Sequence, residues 1–212
     1  MSITTALFDF DGVVADTEGQ YARYFEHLAG VYPPSVPDLA ASVRGVTLPD
    51  ILERFFGAYP EAVKREIADG VRRFELQMEF RFIPGAGEFI GALRALGYKT
   101  GLVTSSQEGK TRVALEKLGL LDAFDTVVTA ARVTRGKPDP GCYLLAARDL
   151  GVDPAACAVF EDSIAGITAG KRAGMKVIGL ATTLPAARLA AHAGWILPDF
   201  SDLDAALASL RA

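Results

Sequence analysis

Residues 156–181 read ACAVFEDSIAGITAGKRAGMKVIGLA and contain two apolar runs separated by a segment rich in alanine and glycine. The first run, ACAVFED, and the last, MKVIGLA, are typical of buried strands. The middle segment is typical of a helix that begins at Ser163 and is closed by Gly174. A strand, a helix and a second strand in this order predict a βαβ unit with parallel strands.

The same alternation of apolar strands and helices extends from about residue 85 towards the C-terminal end. Its helices tend to begin at proline or a capping residue and to end at glycine. Residues 4–10, TTALFDF, form one more apolar run that stops sharply at Asp11-Gly12. The sequence therefore predicts an α/β fold that is doubly wound, with a mainly parallel sheet covered by helices on both faces.

The segment from about residue 17 to residue 81 interrupts this alternation. It contains the helix-like stretches YARYFEHLAG, PDILERFFGAY and EAVKREIADGVRRFELQMEF and no strand pattern. We expect a core domain formed by residues 1–16 and 82–212. We also expect an all-helical domain, residues 17–81, inserted after the first strand.

Composition excludes several classes of function. The formal net charge of −4 argues against non-specific nucleic-acid binding, which needs a basic face. Two cysteines are too few for a disulfide framework, and two histidines exclude a three-histidine zinc site, so a bound metal would be held mainly by oxygen. The chain lacks a signal-peptide pattern and an apolar run of the ~20 residues that span a membrane. We expect a cytoplasmic monomer with no membrane or nucleic-acid partner.

Acidic residues cluster where predicted strands end. Asp9 and Asp11 follow the first strand, and Glu161 and Asp162 follow a later one. In open α/β sheets the ligand crevice lies at the carboxyl ends of the strands, and carboxylates crowded there need a positive partner. A hard cation such as Mg²⁺ suits this set of oxygen ligands. The alternative for Asp9 and Asp11 is a turn with solvated side chains.

Hydroxyl and basic side chains stand at two further strand ends or loops. Thr104, Ser105 and Ser106 follow the run YKTGLV, where hydroxyls can hold phosphate oxygens. For Ser106 we favour the alternative, an ordinary N-cap of the helix that begins near Glu108. Lys137, in the loop RGKPDP, can reach a phosphate as a point charge, and the alternative is a solvated surface lysine.

Four ordered stretches resemble the motifs of the haloacid dehalogenase superfamily. They resemble in particular its branch of sugar-phosphate phosphatases and β-phosphoglucomutase-like proteins. The resemblance implies a Rossmann-like core, an inserted helical cap and Mg²⁺ as the cofactor. The cap itself contains VRGVTLPDIL, which is similar to the cap of that branch. The four stretches are DFDGVVADTE (9–18), LVTSS (102–106), GKPDP (136–140) and VFEDSIAGITAGKRAG (159–174).

The resemblance also implies a role for each motif residue. Asp9 matches the nucleophile that becomes a phosphoaspartate. Asp11 matches the residue that protonates the leaving oxygen and then activates water, and its backbone carbonyl binds Mg²⁺. Dehalogenase members lack an aspartate at this second position, so Asp11 indicates phosphate chemistry. Thr104 and Lys137 match residues that hold the phosphoryl group, and Glu161 and Asp162 match the acidic pair at the metal.

The cap supplies the candidate substrate residues Tyr21, Arg44 and Thr47, together with Ser105 of the core. β-Phosphoglucomutases carry a histidine and an arginine at cap positions where this chain has Tyr21 and Leu48. The substitution favours hydrolysis over phosphoryl return. For Arg44 the alternative is a solvated helix residue, and for Tyr21 it is a place in the apolar core of the cap.

Three functions are therefore compared. The first is a Mg²⁺-dependent phosphatase that hydrolyses a small phosphorylated metabolite, such as a sugar phosphate. The second is a phosphosugar mutase that uses the same Asp9. The third is a non-catalytic binding module, which the intact set of Asp9, Asp11, Lys137 and Asp162 argues against.

Overall fold

Six strands form the sheet of the computed structural model, which describes residues 2–211. Every strand pair in it is parallel, which confirms the predicted α/β class. The strands are β1 (Thr5–Phe8), β2 (Lys99–Val103), β3 (Thr126–Val128), β4 (Cys157–Glu161), β5 (Lys176–Leu180) and β6 (Trp195–Leu197).

The order of the strands across the sheet is β3-β2-β1-β4-β5-β6. The chain therefore runs outward from the centre in one direction and then crosses back to run outward in the other. This reversal places β1 between β2 and β4. In doubly wound sheets, a ligand crevice opens at the carboxyl ends of the strands where the order reverses.

Helices cover both faces of the sheet and fill the insertion. The short helix at residues 39–42 is absent from the sequence prediction because four residues are too few to show a helical period. Its start is fixed locally, since the side chain of Asp38 accepts a hydrogen bond from the Ala41 N–H. The helices are α1 (Glu18–Val31), α2 (Leu39–Ser42), α3 (Leu48–Phe56), α4 (Glu61–Gln77), α5 (Ala86–Ala95), α6 (Glu108–Leu118), α7 (Gly141–Leu150), α8 (Ile164–Arg172), α9 (Ala186–Leu189) and α10 (Leu203–Ser209).

The central strand β1 is buried on both faces. Successive side chains of a strand point to opposite faces, so Leu7 packs in one apolar cluster and Phe8 in another. Phe8 stacks on Phe160 of β4 with ring centroids 5.0 Å apart, because the register pairs these residues. Burying a side chain of this size stabilises the fold by roughly 1.5–3 kcal/mol. This packing holds the ends of β1 and β4 side by side.

Within residues 18–77, all of which the structure describes, the regular elements are helices, as the sequence predicts. They bury an apolar cluster of their own that includes Phe25, Ile51, Phe56 and Ile67. The segment is joined to the sheet by two adjacent stretches of chain. Ala15 and Phe82 form an antiparallel bridge, and the Ile83 N–H donates to the Val14 carbonyl at 3.0 Å. Among the helices of residues 2–211, none combines the length and apolar character that a bilayer requires.

Candidate active site

Three buried carboxylates meet at the carboxyl ends of β1 and β4. Asp9 follows β1, Glu161 is the last residue of β4, and Asp162 comes next. Each offers one carboxylate oxygen, and these oxygens all lie within 4.8 Å of one another. Sheet topology causes the meeting, because β1 and β4 are paired neighbours. The side chain of Asp11 is not part of this group, because it accepts hydrogen bonds from Thr17, Ser106 and Lys110. The motif assigns the backbone carbonyl of Asp11, not this side chain, to the metal.

Lys137 lies between two of these carboxylates. Its Nζ donates to Asp9 Oδ1 at 2.7 Å, to Glu161 Oε1 at 2.6 Å and to the Val103 carbonyl at 3.1 Å. Its side chain is only 2% exposed, so the alternative of a solvated surface lysine is wrong. A buried ammonium with three acceptors is fixed in position, and it offers positive charge at the rim of the sheet.

Burial and crowding shift the titration of this cluster. Burial raises the pKa of Asp9 to about 7, although the adjacent Lys137 opposes the shift. The pKa of Asp162 lies well above its ordinary value because of burial and because of the Glu161 and Asp9 charges. Burial lowers the pKa of Lys137, but the two carboxylates beside it raise that pKa above its usual range. If all three carboxylates are ionised, their negative charge exceeds the charge of the one ammonium beside them.

The donor set fits a hard divalent cation. All three candidate side-chain ligands are carboxylates, which Mg²⁺ and similar ions prefer, and a cation would offset the excess charge. The backbone leaves room for this arrangement at Gly12, which has φ +77° and where a Cβ would overlap the Asp162 carboxylate. Glycine at this position is therefore part of what shapes the site.

Glu161 has further donors that sequence analysis missed. Tyr143 Oη donates to Glu161 Oε1 at 2.8 Å, and Ser163 donates to Oε2 from its hydroxyl at 3.0 Å and its N–H at 3.2 Å. Tyr143 lies in α7, where it looks like an ordinary core residue in the sequence. Its phenol is a polar group on a buried helix face, and such a group needs a partner. These contacts hold Glu161 in one orientation.

The carboxylate of Asp11 has a second lysine beside it. Lys110 Nζ lies 2.5 Å from Asp11 Oδ1 and 2.6 Å from Oδ2, and its side chain is 1% exposed. Thr17 Oγ1 donates to Oδ1 at 2.5 Å, and Ser106 Oγ donates to Oδ2 at 2.9 Å. Sequence analysis missed Lys110. The available signal was its spacing of four residues from Ser106, since such residues share one side of a helical turn.

The hydroxyl residues after β2 are placed differently from one another. Thr104 is buried, and its Oγ1 accepts the Ser106 N–H at 3.0 Å. Ser105 Oγ donates to the Gly45 carbonyl at 2.9 Å and so links the sheet side to the helical segment. The N-cap of α6 is Gln107, without a side-chain cap bond, so the predicted capping role of Ser106 is wrong. The hydroxyl of Ser106 is directed to Asp11 instead.

A cavity lies between the strand ends and the helical segment, and three of the four candidate substrate residues line it. They are Tyr21, Arg44 and Ser105. The fourth, Thr47, is not among the cavity-lining residues, because it is the N-cap of α3 and donates to Asp50 Oδ2 at 2.8 Å.

The cavity wall formed by the helical segment, residues 18–77, is mainly apolar and has two acidic groups, Glu18 and Glu75. Tyr21 Oη donates to Glu75 Oε1 at 2.8 Å. Arg44 lies after the end of α2, so the alternative prediction that it is a solvated helix residue is wrong. Its Nε is 3.2 Å from Glu18 Oε2, at ion-pair distance, and has no directed hydrogen bond among residues 2–211. Burial raises the pKa of Glu18 to about 6. Leu48, at the position aligned with the mutase arginine, also lines the cavity.

Comparison with known proteins identifies the family to which a chain with this buried carboxylate and lysine cluster is related. The family model described as haloacid dehalogenase-like hydrolase matches residues 6–180, which is more than half of the chain. The chain belongs to this family. The resemblance inferred from the four motifs is thus confirmed, and so is the expectation that the protein is a hydrolase of this superfamily.

Relatives of this haloacid dehalogenase-like hydrolase include sugar-phosphate enzymes. The β-phosphoglucomutase of Bacillus subtilis is 33% identical over 84% of this chain and 84% of its own length. The phosphorylated carbohydrates phosphatase of Thermotoga maritima is 33% identical over 81% of this chain and 82% of its own length. The crystal structure of the β-phosphoglucomutase of Clostridium difficile has a TM-score of 0.82 at 23% identity, covering 99% of this chain and 97% of that one. At that identity the likeness concerns the fold alone.

Proposed function

We propose that this hydrolase is a Mg²⁺-dependent phosphatase that acts on a small phosphate monoester, such as a sugar phosphate. The observation that carries the proposal is the buried contact of Asp9 with Lys137 beside Glu161 and Asp162. A carboxylate that attacks a phosphate dianion must overcome like-charge repulsion. The Lys137 ammonium and a cation held by the carboxylates would reduce that repulsion. Two relatives with names from phosphorylated-carbohydrate chemistry support the substrate class.

Asp9 and Asp162, with the backbone carbonyl of Asp11, are the groups that we propose to hold Mg²⁺. We propose Glu161 as a further metal ligand. Its carboxylate also accepts hydrogen bonds from Lys137, Tyr143 and Ser163, so we assign it a second role in orienting the site. A bound Mg²⁺ would supply Lewis acidity and neutralise part of the phosphate charge.

The first half-reaction transfers the phosphoryl group to Asp9. A carboxylate oxygen of Asp9 forms a bond to phosphorus, the bond from phosphorus to the ester oxygen breaks, and the electron pair goes to that oxygen. Asp11 donates the proton that makes the departing alcohol neutral. Lys137 and the hydroxyl of Thr104 hold the phosphoryl oxygens in this proposal.

The second half-reaction restores the enzyme. A water oxygen bonds to phosphorus, Asp11 accepts the proton of that water, and the bond between phosphorus and Asp9 breaks. The products are inorganic phosphate and the free Asp9 carboxylate. Acid–base help of this kind contributes typically ~10²–10⁴-fold to the rate.

We propose that residues 17–81 form a cap domain and that residues 1–16 and 82–212 form the catalytic core. The paired crossing at Ala15 and Phe82 supports this division. A cap over the cavity would exclude bulk water during the first half-reaction. We assign the alcohol portion of the substrate to Tyr21, Arg44 and Ser105, which line the cavity; Thr47 supports the same loop by starting α3.

Hydrolysis is favoured over phosphoryl return by the charge of the cavity wall. Arg44 is the only basic residue among the described residues that line the cavity, and it lies against Glu18. Leu48 offers no charge at the aligned mutase position. A mutase has to grip a second phosphate, which needs fixed positive charge on the cap side.

A product assay tests the proposal. A panel of sugar and polyol monophosphates is incubated with enzyme and Mg²⁺, and β-glucose 1-phosphate is also tested with glucose 1,6-bisphosphate. We expect inorganic phosphate in an amount that matches the substrate lost, without need of the bisphosphate. Rapid formation of glucose 6-phosphate with little free phosphate would establish a mutase instead.

We further propose that the enzyme is a cytoplasmic monomer that meets its metabolite in solution. Cys142 and Cys157 are both free and buried, which suits a reducing compartment. Size-exclusion chromatography with light scattering is expected to give the mass of one 22.5 kDa chain.

A further inference from the structure

Lys110 is a buried charged residue to which the motifs assign no role. It lies in α6, 99 residues from Asp11 in sequence, and its ammonium spans both oxygens of the Asp11 carboxylate at 2.5 and 2.6 Å. It also donates to Ser106 Oγ at 2.9 Å. The rings of Tyr21 and Phe10 lie 4.7 and 5.4 Å from Nζ, and both contacts favour a cation at this point.

The donors around Asp11 fill its acceptor sites. An ionised carboxylate has about four lone-pair sites. Here Oδ1 accepts from Thr17 and Lys110, and Oδ2 accepts from Ser106 and Lys110. A substrate oxygen or a water can therefore reach Asp11 only if one donor is exchanged.

The donors differ in strength. Hydrogen bonds from an ammonium to a carboxylate are roughly twice as strong as bonds between neutral groups, and a fully buried ammonium has no water to replace its partner. The Thr17 and Ser106 hydroxyls, which also donate to Asp11, are neutral. A neutral hydroxyl is therefore more easily exchanged than the Lys110 ammonium, which stays in place.

We propose that Lys110 is a positioning residue that holds the Asp11 carboxylate in the orientation from which it exchanges protons with the leaving group and with water. This inference rests on the proposed phosphatase function. The competing explanation is purely structural: Lys110 would only neutralise a partly buried carboxylate, and its loss would affect every step alike.

The test compares two leaving groups in the Lys110→Met variant. p-Nitrophenolate leaves with little need of a proton, whereas the alkoxide of a sugar phosphate needs one. We expect kcat/KM to fall roughly 10²-fold or more for the sugar phosphate and roughly tenfold at most for p-nitrophenyl phosphate. We also expect a burst of about one p-nitrophenol per enzyme, because water attack on the phosphoaspartate, which needs Asp11 as base, becomes slow.

Lys117→Met is the matched control. Lys117 lies in the same helix and also contacts an aromatic ring, that of Phe80 at 5.5 Å, but it donates to the Met78 carbonyl. It should keep wild-type ratios for the two substrates. Equal losses on both substrates without a burst, or no loss at all, would overturn the positioning role of Lys110.

A second comparison, which does not need the single Lys110→Met variant, keeps the test decisive if that variant does not fold. Asp11→Asn together with Lys110→Met removes both charges and leaves no unpaired ion. If Lys110 acts only through Asp11, the double variant should match Asp11→Asn alone within about twofold in kcat/KM on p-nitrophenyl phosphate. A further loss of tenfold would contradict the inference. Failure of the proposed function looks different, since wild-type enzyme with Mg²⁺ would then release no phosphate from either substrate.

Discussion

In the proposed reaction, the attacking atom is a carboxylate oxygen of Asp9, which contacts Lys137 at the end of β1. We predict that Asp9→Asn folds but loses phosphate release by roughly 10³-fold or more, because an amide is not a usable nucleophile. The substitution also relieves repulsion from Glu161 and Asp162, so the melting temperature should not fall. Asp16→Asn, in the same motif but exposed, is the matched control and should keep full activity. Wild-type rates in Asp9→Asn would place the nucleophile elsewhere.

Gly12 supports the site through backbone shape. Its φ is +77°, and a Cβ there would overlap the Asp162 carboxylate and crowd Thr183 Oγ1. We predict that Gly12→Ala lowers the free energy of unfolding by about 1–3 kcal/mol and weakens Mg²⁺ binding. Chemical denaturation and a metal titration would measure these effects. Gly91→Ala in α5, where a Cβ meets open space, should instead be neutral or stabilise by up to about 1 kcal/mol.

Single residues show what sequence can predict and what it cannot. Asp9 and Glu161 could be predicted to meet because parallel strands end at one edge of the sheet, and the structure brings them together. The partners Lys110 and Tyr143 could not, because their contacts arise only when helices pack against the sheet. A lysine on a helix is normally solvated, and the spacing of four residues between Ser106 and Lys110 does not by itself show that the lysine is buried.

Gln20 of α1 ties the two connections of the helical segment together. Its amide donates to the Glu79 carbonyl at 2.7 Å and accepts the Glu79 N–H at 3.1 Å. We predict that Gln20→Ala loses about 1 kcal/mol of stability and speeds amide hydrogen exchange at residues 79–82. Gln77→Ala, exposed at the end of α4, is the control. Unchanged exchange at residues 79–82 would show that this pair does not restrain the connection.

At the scale of elements, helix-like stretches were sufficient to predict the long helices of residues 17–81, and apolar runs were sufficient to predict β1, β2, β4 and β5. The prediction was wrong where a single polar side chain had two possible partners. Ser106 could cap α6 or turn to Asp11, and the buried carboxylate and Lys110 determine the outcome. The short helix α2 depends on one Asp38 cap and on packing against α1, which local pattern does not show.

For the whole molecule, metal binding at the three carboxylates is expected to be linked to folding, because the site exists only in the folded state. We predict that chelation abolishes turnover and that added Mg²⁺ restores it. Mg²⁺ should also raise the melting temperature, since an ion at 100 times its Kd stabilises the folded state by about 2.7 kcal/mol. Potassium chloride at matched ionic strength should give neither effect. Undiminished turnover in excess chelator would rule out the metal-dependent reaction.

Ala15 and Phe82, which flank the helical segment, form an antiparallel bridge. The segment is therefore connected to the rest of the chain at one place. Replacing residues 17–81 with the corresponding piece of another family member would leave all six strands and their register untouched. Chimaeras cut at this junction would thus combine a new helical wall of the cavity with the original strand ends. Under the proposed division into cap and core, such an exchange would change Tyr21 and Arg44, which we assign to the alcohol portion of the substrate, and would keep the residues that we assign to the phosphoryl group.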